Sequence, residues 1–575
     1  MGKRLELLQS IIDPRSIAVL GASDNRNKPG GRPVHFLKKF GFGGAVYPVN
    51  PNRPEVQGYR AYPHLDAIGE TPDMAIIALP EAATPQAVRD CAARGVKCAV
   101  VITSGFAETG AEGRRVQDAM VATARDAGMR LVGPNSQGLA NFRTGAVANF
   151  STMFMEVPPA DGPVAIVSQS GGASVMPYAL LRERGIGVRY VHASGNDADV
   201  TVSELALAVA CDPGIRLILV YAENIRHPEA LAEAAALAHA RGAAVVALKA
   251  GHSASGMAAA HSHTGALANE DRIVDAFFAK HGIARARDVH GLVNAAELHL
   301  KGWKAAGNRL VAISNSGAFC VMAADGAEAL GLELARLSDR TTERLRAVLP
   351  GFASGRNPVD LTAALLGRSG MFGQVLPILA DDPAADLFVL GLPVAGEGYD
   401  VPQFARDAAA FTGATGKPLV VTGPQSAVMA EFRAHGLPTF TNDSDALQAL
   451  AQLAATAPRA PAPAAKRSVA PFDIPASTSR FLSEAQSLRL LEAAGLPVSG
   501  HRLCSTEAEA VAAFEAFGGA VAVKACSEAL PHKTDFGLVR LGIDTEAGVR
   551  EAFRGCVEGM QRLAVPAEGV IVARM

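Results

Sequence analysis

The chain has 575 residues, of which 49% are hydrophobic and 19% charged, and its formal net charge is −2. At roughly 150 residues per domain, this length predicts about four domains, each with enough apolar side chains for its own core. The near-balanced charge and the lack of a basic block argue against a nucleic acid or a membrane surface as a partner. No apolar run approaches the ~20 residues that a membrane-spanning helix requires.

Cysteine usage and the first residues indicate a cytoplasmic protein. The seven cysteines are dispersed along the chain and form no C-x-x-C pair. Such a set is typical of buried thiols in a reducing compartment. The opening residues MGKRLELLQSIIDPRS contain no sustained apolar core and no small-residue cleavage site, so we expect no signal peptide.

The first recognisable unit begins with a short apolar run followed by a glycine turn. Ile17–Leu20 precedes Gly21, Ala22 and Ser23, and Lys28 follows a few residues later. Strand, glycine turn and helix in this order predict the opening of a doubly wound α/β domain. Glycine lets backbone N–H groups approach a phosphate at a helix N-terminus. The turn is not a complete G-x-G-x-x-G, so the dinucleotide signal by itself is weak.

Four further strand-like runs follow, and each ends in a polar or Gly/Pro turn. The runs are Ala45–Val49, Met74–Leu79, Ala99–Thr103 and Leu131–Val132. The turns contain the candidate ligand-binding residues Asn50, Pro51, Pro80, Ser104, Gly105 and Asn135. Ligands of open parallel sheets bind beyond the carboxyl ends of the strands, which favours a binding site over plain connecting loops.

The second unit repeats the design and adds a phosphate-binding signal. An apolar run ends at Val167, and the turn that follows consists of Ser168, Gln169, Ser170, Gly171 and Gly172. Free N–H groups and the positive end of the helix dipole make such a turn a seat for phosphate. The next core strand, Leu217–Tyr221, leads to Glu223.

The third unit shows the same pattern once more. Leu310–Ser314 leads into Asn315, Ser316 and Gly317, which predicts a second phosphate seat at the start of a helix. A further turn follows at Asn357–Leu361.

Between these two units lies the segment AAAHSHTGALA, residues 258–268, with His261 and His263. Small residues around the histidines leave the backbone free to reposition. A solvated surface loop and a metal pair are the alternatives. No nearby cysteine or carboxylate completes a zinc ligand set, so no metal residue is predicted. The two phosphate seats favour a chemical role for the histidines.

The C-terminal part begins after an Ala/Pro-rich linker, ATAPRAPAPAA, at residues 455–465. An amphipathic helix is predicted over Ser483–Ala494, and the apolar run VAVK ends at Lys524. The turn LPHKTD that follows contains His532. A lysine that closes an apolar strand is often an edge residue, but here it could meet a nucleotide phosphate.

With these motifs together, the chain resembles the NDP-forming acyl-CoA synthetases, relatives of succinyl-CoA synthetase, over nearly its whole length. The resemblance implies a multidomain α/β fold: a Rossmann-like CoA-binding domain, two flavodoxin-like ligase domains and the start of a C-terminal ATP-grasp domain. The expected limits are 1–145, 146–298 and 299–455 for the first three domains. An Ala/Pro linker at 456–477 and a partial ATP-grasp domain at 478–575 complete the expected organisation.

The resemblance also assigns roles to the residues singled out above. SHTGALA at Ser262–Ala268 is similar to the phosphohistidine loop of the family, which points to His263 rather than His261 as the phosphorylated residue. Glu223 corresponds to a carboxylate that steadies this histidine. The turns at 168–172 and 315–317 correspond to the two phosphate seats. Lys524 corresponds to the ATP-grasp lysine, and His532 to a second histidine that relays the phosphoryl group. The turn residues of the first domain are implied in CoA binding.

The implied activity is an acid–CoA ligase, NDP-forming. It converts a carboxylic acid, CoA and ATP (or GTP) to acyl-CoA, NDP and phosphate, reversibly, through an acyl phosphate and a phosphohistidine on a mobile loop. Mg²⁺ is the expected companion of the nucleotide, and a homodimer is the expected assembly. In the family the ATP-grasp domain continues past the point where this chain ends, and Arg574 stands where a Glu is usual before Met575.

Three alternatives remain at the level of the sequence. The first is a CoA- or acyl-CoA-binding regulatory protein that lacks complete ligase activity. A lysine acetyltransferase ranks last among CoA-linked functions, because no acetyl-CoA signature of that class is present. A plain NAD-dependent oxidoreductase leaves the histidine segment unexplained.

Overall fold

A computed structural model describes residues 2–253, 255–256, 270–456 and 481–575. The predicted phosphohistidine His263 and its neighbour His261 lie outside these described residues, as does most of the expected linker. The chain divides into two units, Met1–Ala460 and Pro461–Met575.

The first domain is built on a parallel sheet in the order β2-β1-β5-β6-β7. Its strands, with a small hairpin, are β1 Ser16–Leu20, β2 Ala45–Val49, β3 Glu55–Val56, β4 Tyr59–Arg60, β5 Met74–Ile77, β6 Cys98–Val101 and β7 Arg130–Val132. Its α-helices are Gly2–Ile12, Arg32–Lys39, Thr84–Ala93 and Ala111–Asp126, and its 3₁₀ turns are Leu65–Ala67, Glu81–Ala83 and Ala107–Thr109. Chain order reverses at β1, which pairs with both β2 and β5, so the turn after β1 lies at the switch point of the sheet.

The second domain has a sheet in the order β14-β13-β12-β10-β11-β8-β9. Its strands are β8 Gly138–Asn141, β9 Ala146–Asn149, β10 Val164–Ser168, β11 Val188–Ala193, β12 Leu217–Ala222, β13 Ala244–Lys249 and β14 Ala284–Ala286. Its helices are Met153–Glu156, Gly171–Glu183, Val202–Ala210, Pro228–Ala240, Asp271–His281, Val289–Asn294 and Ala296–Leu300. The antiparallel hairpin β8–β9 extends the sheet beyond β11, so residues from 138 onward, which include the end of the expected first domain, already belong to the second sheet.

The third domain repeats the arrangement in the order β16-β15-β18-β19-β20, with β17 beside the end of β15. Its strands are β15 Arg309–Ser314, β16 Glu333–Leu334, β17 Val359–Asp360, β18 Leu387–Gly391, β19 Leu419–Thr422 and β20 Thr439–Phe440. Its helices are Gly317–Ala329, Asp339–Val348, Ala364–Gly367, Gly370–Ala380, Val401–Thr415, Ser426–Ala434 and Asp443–Ala455.

One topology therefore recurs three times in the first unit. In each sheet the first parallel strand has a neighbour on both sides, and every residue of β10 and all but the first residue of β1 and of β15 are buried. Such near-continuous apolar runs are typical of parallel strands that helices cover on both faces. Each of these three strands ends in a small-residue turn at the switch point, where ligands bind. The predicted α/β class is confirmed.

The second unit contains an antiparallel sheet in the order β21-β24-β22-β23. Its strands are β21 His501–Cys504, β22 Val521–Cys526, β23 Val539–Ile543 and β24 Gly569–Arg574. Its helices are Glu484–Ala493, Glu507–Phe517 and Glu546–Arg562, with a 3₁₀ turn at Lys533–Phe536. Ser483 and Thr506 each begin a helix with a capping box, in which the cap side chain and the side chain three residues later exchange hydrogen bonds with the backbone.

No helix in the described ranges is both long and apolar enough to cross a membrane.

Candidate functional site

The turn after β10 presents the N-terminus of a helix. The buried Ser168 hydroxyl donates to the Ser170 carbonyl at 2.6 Å and accepts from the Ser170 N–H at 3.0 Å, which folds the turn back on itself. Ser170 then caps the helix Gly171–Glu183, because its Oγ accepts from the Ala173 N–H at 3.3 Å. The first N–H groups of an α-helix lack intrahelical partners, so those at Gly171 and Gly172 are available to an anion.

This turn borders a cavity of about 220 Å³, which we call the strand-end cavity. It is lined by Asn135, Ser136, Gln137, Phe150, Gln169, Ser170, Gly171, Gly195, Asn196, Asp197, Glu223, Asn224 and Arg226. These residues follow β7, β10, β11 and β12 or belong to the β8–β9 hairpin and its flanks. Three of the five predicted residues of the first phosphate seat, Gln169, Ser170 and Gly171, therefore line this cavity together with the predicted Glu223 and Asn135.

Gln169 joins the loops that surround the strand-end cavity. Its Oε1 accepts from the backbone N–H groups of Glu223 and Asn224, and its Nε2 donates to the Asp197 carboxylate at 2.7 Å and to the Asn224 carbonyl at 2.7 Å. Both ends of the side-chain amide are therefore engaged by protein groups. In this structure Gln169 sets the position of the loop that carries Glu223.

Glu223 comes directly after β12 and is only 9% exposed. The Tyr221 hydroxyl donates to its Oε1 at 3.4 Å. A buried carboxylate at the wall of an anion cavity suits the orientation of a nearby imidazole N–H. Lys249 closes the neighbouring strand β13 and is 1% exposed, with its Nζ donating to the Ala250 carbonyl at 2.6 Å. Burial lowers the pKa of Lys249.

Asp197 lies in the turn after β11 and was missed by the sequence reasoning. Its backbone has a left-handed φ of 55°, and its Oδ1 accepts from the Val202 N–H at 2.9 Å. Burial raises the pKa of Asp197 to about 6, although hydrogen bonds from Ser194 and Gln169 oppose this shift. Asn196, next to it, donates to Gln117 at 3.0 Å, which ties the turn to the first domain.

A second space adjoins the first and includes Lys28. This Lys28 cavity, of about 270 Å³, is lined by Asn27, Lys28, Pro29, Arg32, Gln137, Phe150, Ser151 and Thr152. It shares Gln137 and Phe150 with the strand-end cavity. Arg32, which the sequence reasoning also missed, is buried, and its Nε donates to the Arg26 carbonyl at 3.1 Å.

The glycine turn after β1 is rigidly built. Gly21 has a φ of 83°, and a Cβ at this position would lie 2.4 Å from the Ala78 carbonyl oxygen. Asn50 Nδ2 donates to the Ala22 carbonyl at 2.8 Å, and Gln57 Nε2 donates to the Ser23 carbonyl at 2.8 Å. Asn50, predicted as a cofactor ligand, thus holds the turn through its side chain, and Pro51 after it is exposed.

The other predicted turns of the first domain lie at the ends of β5, β6 and β7. Pro80 precedes the 3₁₀ turn after β5. After β6 come Ser104 and Gly105, whose N–H donates to Glu108 at 2.8 Å. Asn135 follows β7 with a φ of 58° and donates its N–H to the Thr103 carbonyl at 2.9 Å. Asn135 was predicted to bind the cofactor in the first domain, but it also lines the strand-end cavity beside the first phosphate seat.

The seat predicted in the third domain shares one element of this construction, a serine hydroxyl that accepts from the N–H two residues later. The Ser314 hydroxyl donates to the Gly391 carbonyl at 2.8 Å and accepts from the Ser316 N–H at 3.0 Å. Ser316 precedes the helix Gly317–Ala329 without a side-chain cap. Asn315 Nδ2 donates to the Val394 carbonyl at 2.6 Å, while its buried Oδ1 has no partner in the described part of the chain. These residues do not line the strand-end cavity.

In the second unit the predicted nucleotide lysine is paired with a carboxylate. Lys524 on β22 and Lys533 both form ion pairs with Glu484, which opens the helix Glu484–Ala493. Burial alone would raise the pKa of Glu484, but the two ammonium groups outweigh it and lower the pKa. His532 is exposed and precedes the 3₁₀ turn that contains Lys533.

Comparison with known proteins places these features in a family. Residues 15–141 match a CoA binding domain, residues 161–299 a succinyl-CoA ligase like flavodoxin domain, and residues 473–575 an ATP-grasp domain. A trans-feruloyl-CoA synthase from an unknown prokaryotic organism is 31% identical over 596 residues, which cover 100% of this chain and 83% of the relative. The ADP-forming acetate–CoA ligase I of Archaeoglobus fulgidus is 32% identical over 588 residues, which cover 99% of this chain and 82% of the relative.

A solved structure agrees with these matches. The dinucleotide forming acetyl-coenzyme A synthetase 1 of Ca. Korarchaeum cryptofilum, in complex with phosphate and ADP, is similar with a TM-score of 0.67 and 26% identity. The similarity covers 78% of this chain and 96% of that chain. Fold and matches together define an enzyme of the CoA ligase class. The chain belongs to the NDP-forming acyl-CoA synthetase family, as the resemblance predicted, and these comparisons give no support to the regulatory alternative.

Proposed function

We propose that the chain joins a carboxylic acid to CoA while ATP or GTP is cleaved to NDP and phosphate, with His263 as the phosphorylated residue. The strand-end cavity carries this proposal, because it combines the N-terminus of the helix that begins at Gly171 with the buried carboxylate of Glu223. An anion seat and an imidazole-orienting carboxylate are the two elements that phosphohistidine chemistry requires.

The reaction at the strand-end cavity has two steps. First, a carboxylate oxygen of the acid attacks the phosphorus of phosphohistidine; the O–P bond forms and the N–P bond breaks. The proton on the other ring nitrogen, which Glu223 would hold, lets His263 leave as a neutral imidazole. Second, the sulfur of CoA attacks the acyl carbon; the S–C bond forms, the C–O bond breaks, and the leaving phosphate takes up the thiol proton. Phosphoryl transfer depends mainly on positioning and charge stabilisation, which the N–H groups of Gly171 and Gly172 provide.

CoA is proposed to reach this site from the first domain. The Lys28 cavity adjoins the strand-end cavity along Gln137 and Phe150, so a thiol could pass between them. Lys28 and the buried Arg32 supply positive charge for the phosphates of CoA. The turn residues Gly21, Ala22 and Ser23 would bring backbone N–H groups close to the same CoA phosphates. The limits 1–145, 146–298 and 299–455 for the three domains of the first unit, the linker 456–477 and the partial ATP-grasp domain 478–575 stay predictions.

The nucleotide is proposed to bind in the second unit. Its phosphates would compete with Glu484 for the ammonium groups of Lys524 and Lys533, and Mg²⁺ would enter with the nucleotide. The exposed His532 is available to relay the phosphoryl group. A cytoplasmic homodimer is part of the same proposal, and the mass of the native protein in solution tests its assembly.

The acid is left open because the relatives are named for different acids, feruloyl and acetate among them. The test is intact-mass and peptide-mapping detection of phosphohistidine after incubation with phosphate and a panel of acyl-CoAs, from acetyl-CoA to feruloyl-CoA. We expect an acid-labile gain of one phosphate on the peptide that contains His263.

His263→Ala should abolish this label, and His261→Ala, two residues away, is the matched control that should retain it. Label that survives in His263→Ala would move the role to His261 or His532. No label with any acyl-CoA, from a protein that still binds CoA, would contradict the proposal and favour the regulatory alternative.

A further inference from the structure

We propose that Arg226 is the residue that binds the phosphoryl group in the strand-end cavity, an inference that rests on the function proposed above. Among the described residues that line this cavity, Arg226 is the only lysine or arginine. Asp197 and Glu223 place two carboxyl groups in the same wall. An incoming phosphate carries further negative charge, so the cavity needs a cation.

The guanidinium of Arg226 is held in place from one side. Its Nη1 donates to the backbone carbonyl of Asp197 at 3.1 Å. Asp197 is itself fixed, because its carboxyl group accepts from Gln169 and from the Val202 N–H. One amino group of Arg226 is therefore fixed by a turn in which both carboxylate oxygens of Asp197 already have hydrogen-bond partners.

The remaining donors of Arg226 are available to a ligand. A guanidinium has five N–H donors in a fixed fork, and the bond to Asp197 uses one of them. In the described ranges Arg226 forms no ion pair, and the Asp197 carboxyl group is engaged by Gln169 and Val202. Arg226 is exposed although it lines the cavity, which places the group at the cavity mouth, where an anion enters.

The helix N-terminus and Arg226 have complementary tasks. The helix dipole is equivalent to roughly half a unit of positive charge, which is less than a phosphate dianion brings. The guanidinium supplies a full charge and matches a phosphate or a carboxylate with two parallel hydrogen bonds. The N–H groups of Gly171 and Gly172 would hold the phosphoryl group from inside the cavity, and Arg226 would hold it from the mouth.

Two anionic groups share the chemistry that Arg226 recognises: the phosphoryl group and the distal carboxylate of a dicarboxylic acid. We assign the phosphoryl group, because Arg226 lines the same cavity as the helix N-terminus that seats phosphate. The phosphoryl group is also present in every cycle, whichever acid is used.

The test uses Arg226→Gln, Arg226→Lys and the matched control Arg340→Gln, whose arginine is exposed and does not line the cavity. Each full-length protein is assayed in the direction that consumes acyl-CoA, phosphate and NDP. Loss of a charge-assisted pair predicts that Arg226→Gln raises KM for phosphate about tenfold or more. KM for acyl-CoA and for NDP should stay within about twofold, and Arg226→Lys should recover part of the loss because it keeps the charge.

Each other outcome overturns the assignment. A loss confined to succinyl-CoA and absent with acetyl-CoA would assign Arg226 to the distal carboxylate. An equal fall in kcat for the Gln and Lys variants, with KM for phosphate unchanged, would show that Arg226 only supports the Asp197 turn. Titration calorimetry with inorganic phosphate needs no turnover, so it tests the inference even if the wild-type chain proves inactive as a ligase. Binding should be weakest for Arg226→Gln, intermediate for Arg226→Lys and unchanged for Arg340→Gln, and equal binding by all four proteins would overturn the inference.

Discussion

At the scale of single residues, the polar groups around Asp197 link protonation to stability. Its carboxyl group is buried, and burial raises its pKa from 3.8 to about 6. A folded-state pKa above the unfolded value means that the folded state binds the proton more tightly. The stabilisation is therefore fully present below the unfolded pKa and is lost as the pH rises through the folded one.

This linkage gives a measurable expectation for Asp197→Asn, which cannot titrate. From well below pH 3.8 to well above pH 6, the wild-type free energy of unfolding should fall relative to the variant by about 3 kcal/mol in total, at 1.36 kcal/mol per pKa unit. Urea unfolding of both proteins across this range measures the difference. A constant difference would mean that the Asp197 carboxyl group has an ordinary pKa. At neutral pH the variant should also lose cavity geometry, since an amide cannot accept from both Gln169 and Val202 as the carboxylate does.

At the scale of elements, the glycine turn after β1 shows how a strand end becomes a binding edge. Two separate costs oppose any side chain at Gly21: the left-handed φ of 83° and the Ala78 carbonyl 2.4 Å from a Cβ. Gly128 in the same domain has a φ of 73° but nothing within 4 Å of a Cβ, so it isolates the first cost.

We therefore expect Gly21→Ala to destabilise the protein clearly more than Gly128→Ala. The φ penalty alone is about 1–2 kcal/mol and applies to both variants. The clash with Ala78 adds to it at Gly21, and displacement of the turn should weaken CoA binding as well. Denaturant unfolding and CoA titration measure the two effects. Equal destabilisation of the two variants would mean that the turn after β1 shifts to relieve the clash with the Ala78 carbonyl at no cost in stability.

The same scale shows what the sequence could predict. The strands β1, β10, β12 and β15 were predicted because their apolar runs are continuous, and the structure confirms them within one or two residues. Three of these runs lead directly into Gly or Ser, whereas β12 leads to Glu223. The strand β11 was missed because Arg189 and His192 interrupt its apolar run. Missing the strand also meant missing the turn after it, and with it Asp197, although the polar run Asn196–Asp197 after a strand was a usable signal.

Contacts between distant residues explain the rest of what the sequence did not reveal. Gln169 was predicted to bind phosphate, but its amide meets groups 28 and 55 residues away along the chain. Gln137 and Phe150 line both the strand-end cavity and the Lys28 cavity because the β8–β9 hairpin, which they flank, belongs to the second sheet. No local pattern encodes either arrangement, because both depend on which loops the sheet order brings together.

At the scale of the whole molecule, the strand-end cavity and Lys524, the proposed nucleotide lysine, belong to different units. If the proposal is correct, a substitution in one unit should abolish one half-reaction and leave the other. The two half-reactions are phosphorylation of His263 by ATP and its phosphorylation by acyl-CoA plus phosphate. In the proposed reaction, acyl-CoA and phosphate phosphorylate His263 without the second unit's lysines, whereas ATP needs these lysines.

Lys524→Ala should therefore abolish phosphorylation of His263 by ATP and leave phosphorylation by acyl-CoA plus phosphate within about twofold of the wild type, since only the first transfer needs the lysine charge. Lys524 also neutralises Glu484, so its loss could act through that ion pair. Glu484→Gln separates the two effects, because it removes the ion pair and keeps Lys524. If the ammonium itself binds nucleotide, Glu484→Gln retains labelling by ATP; if both variants lose it, the ion pair with Glu484 is what matters. Loss of the acyl-CoA-dependent label in Lys524→Ala would show that the half-reactions are not separable and would contradict the division of labour between the two units.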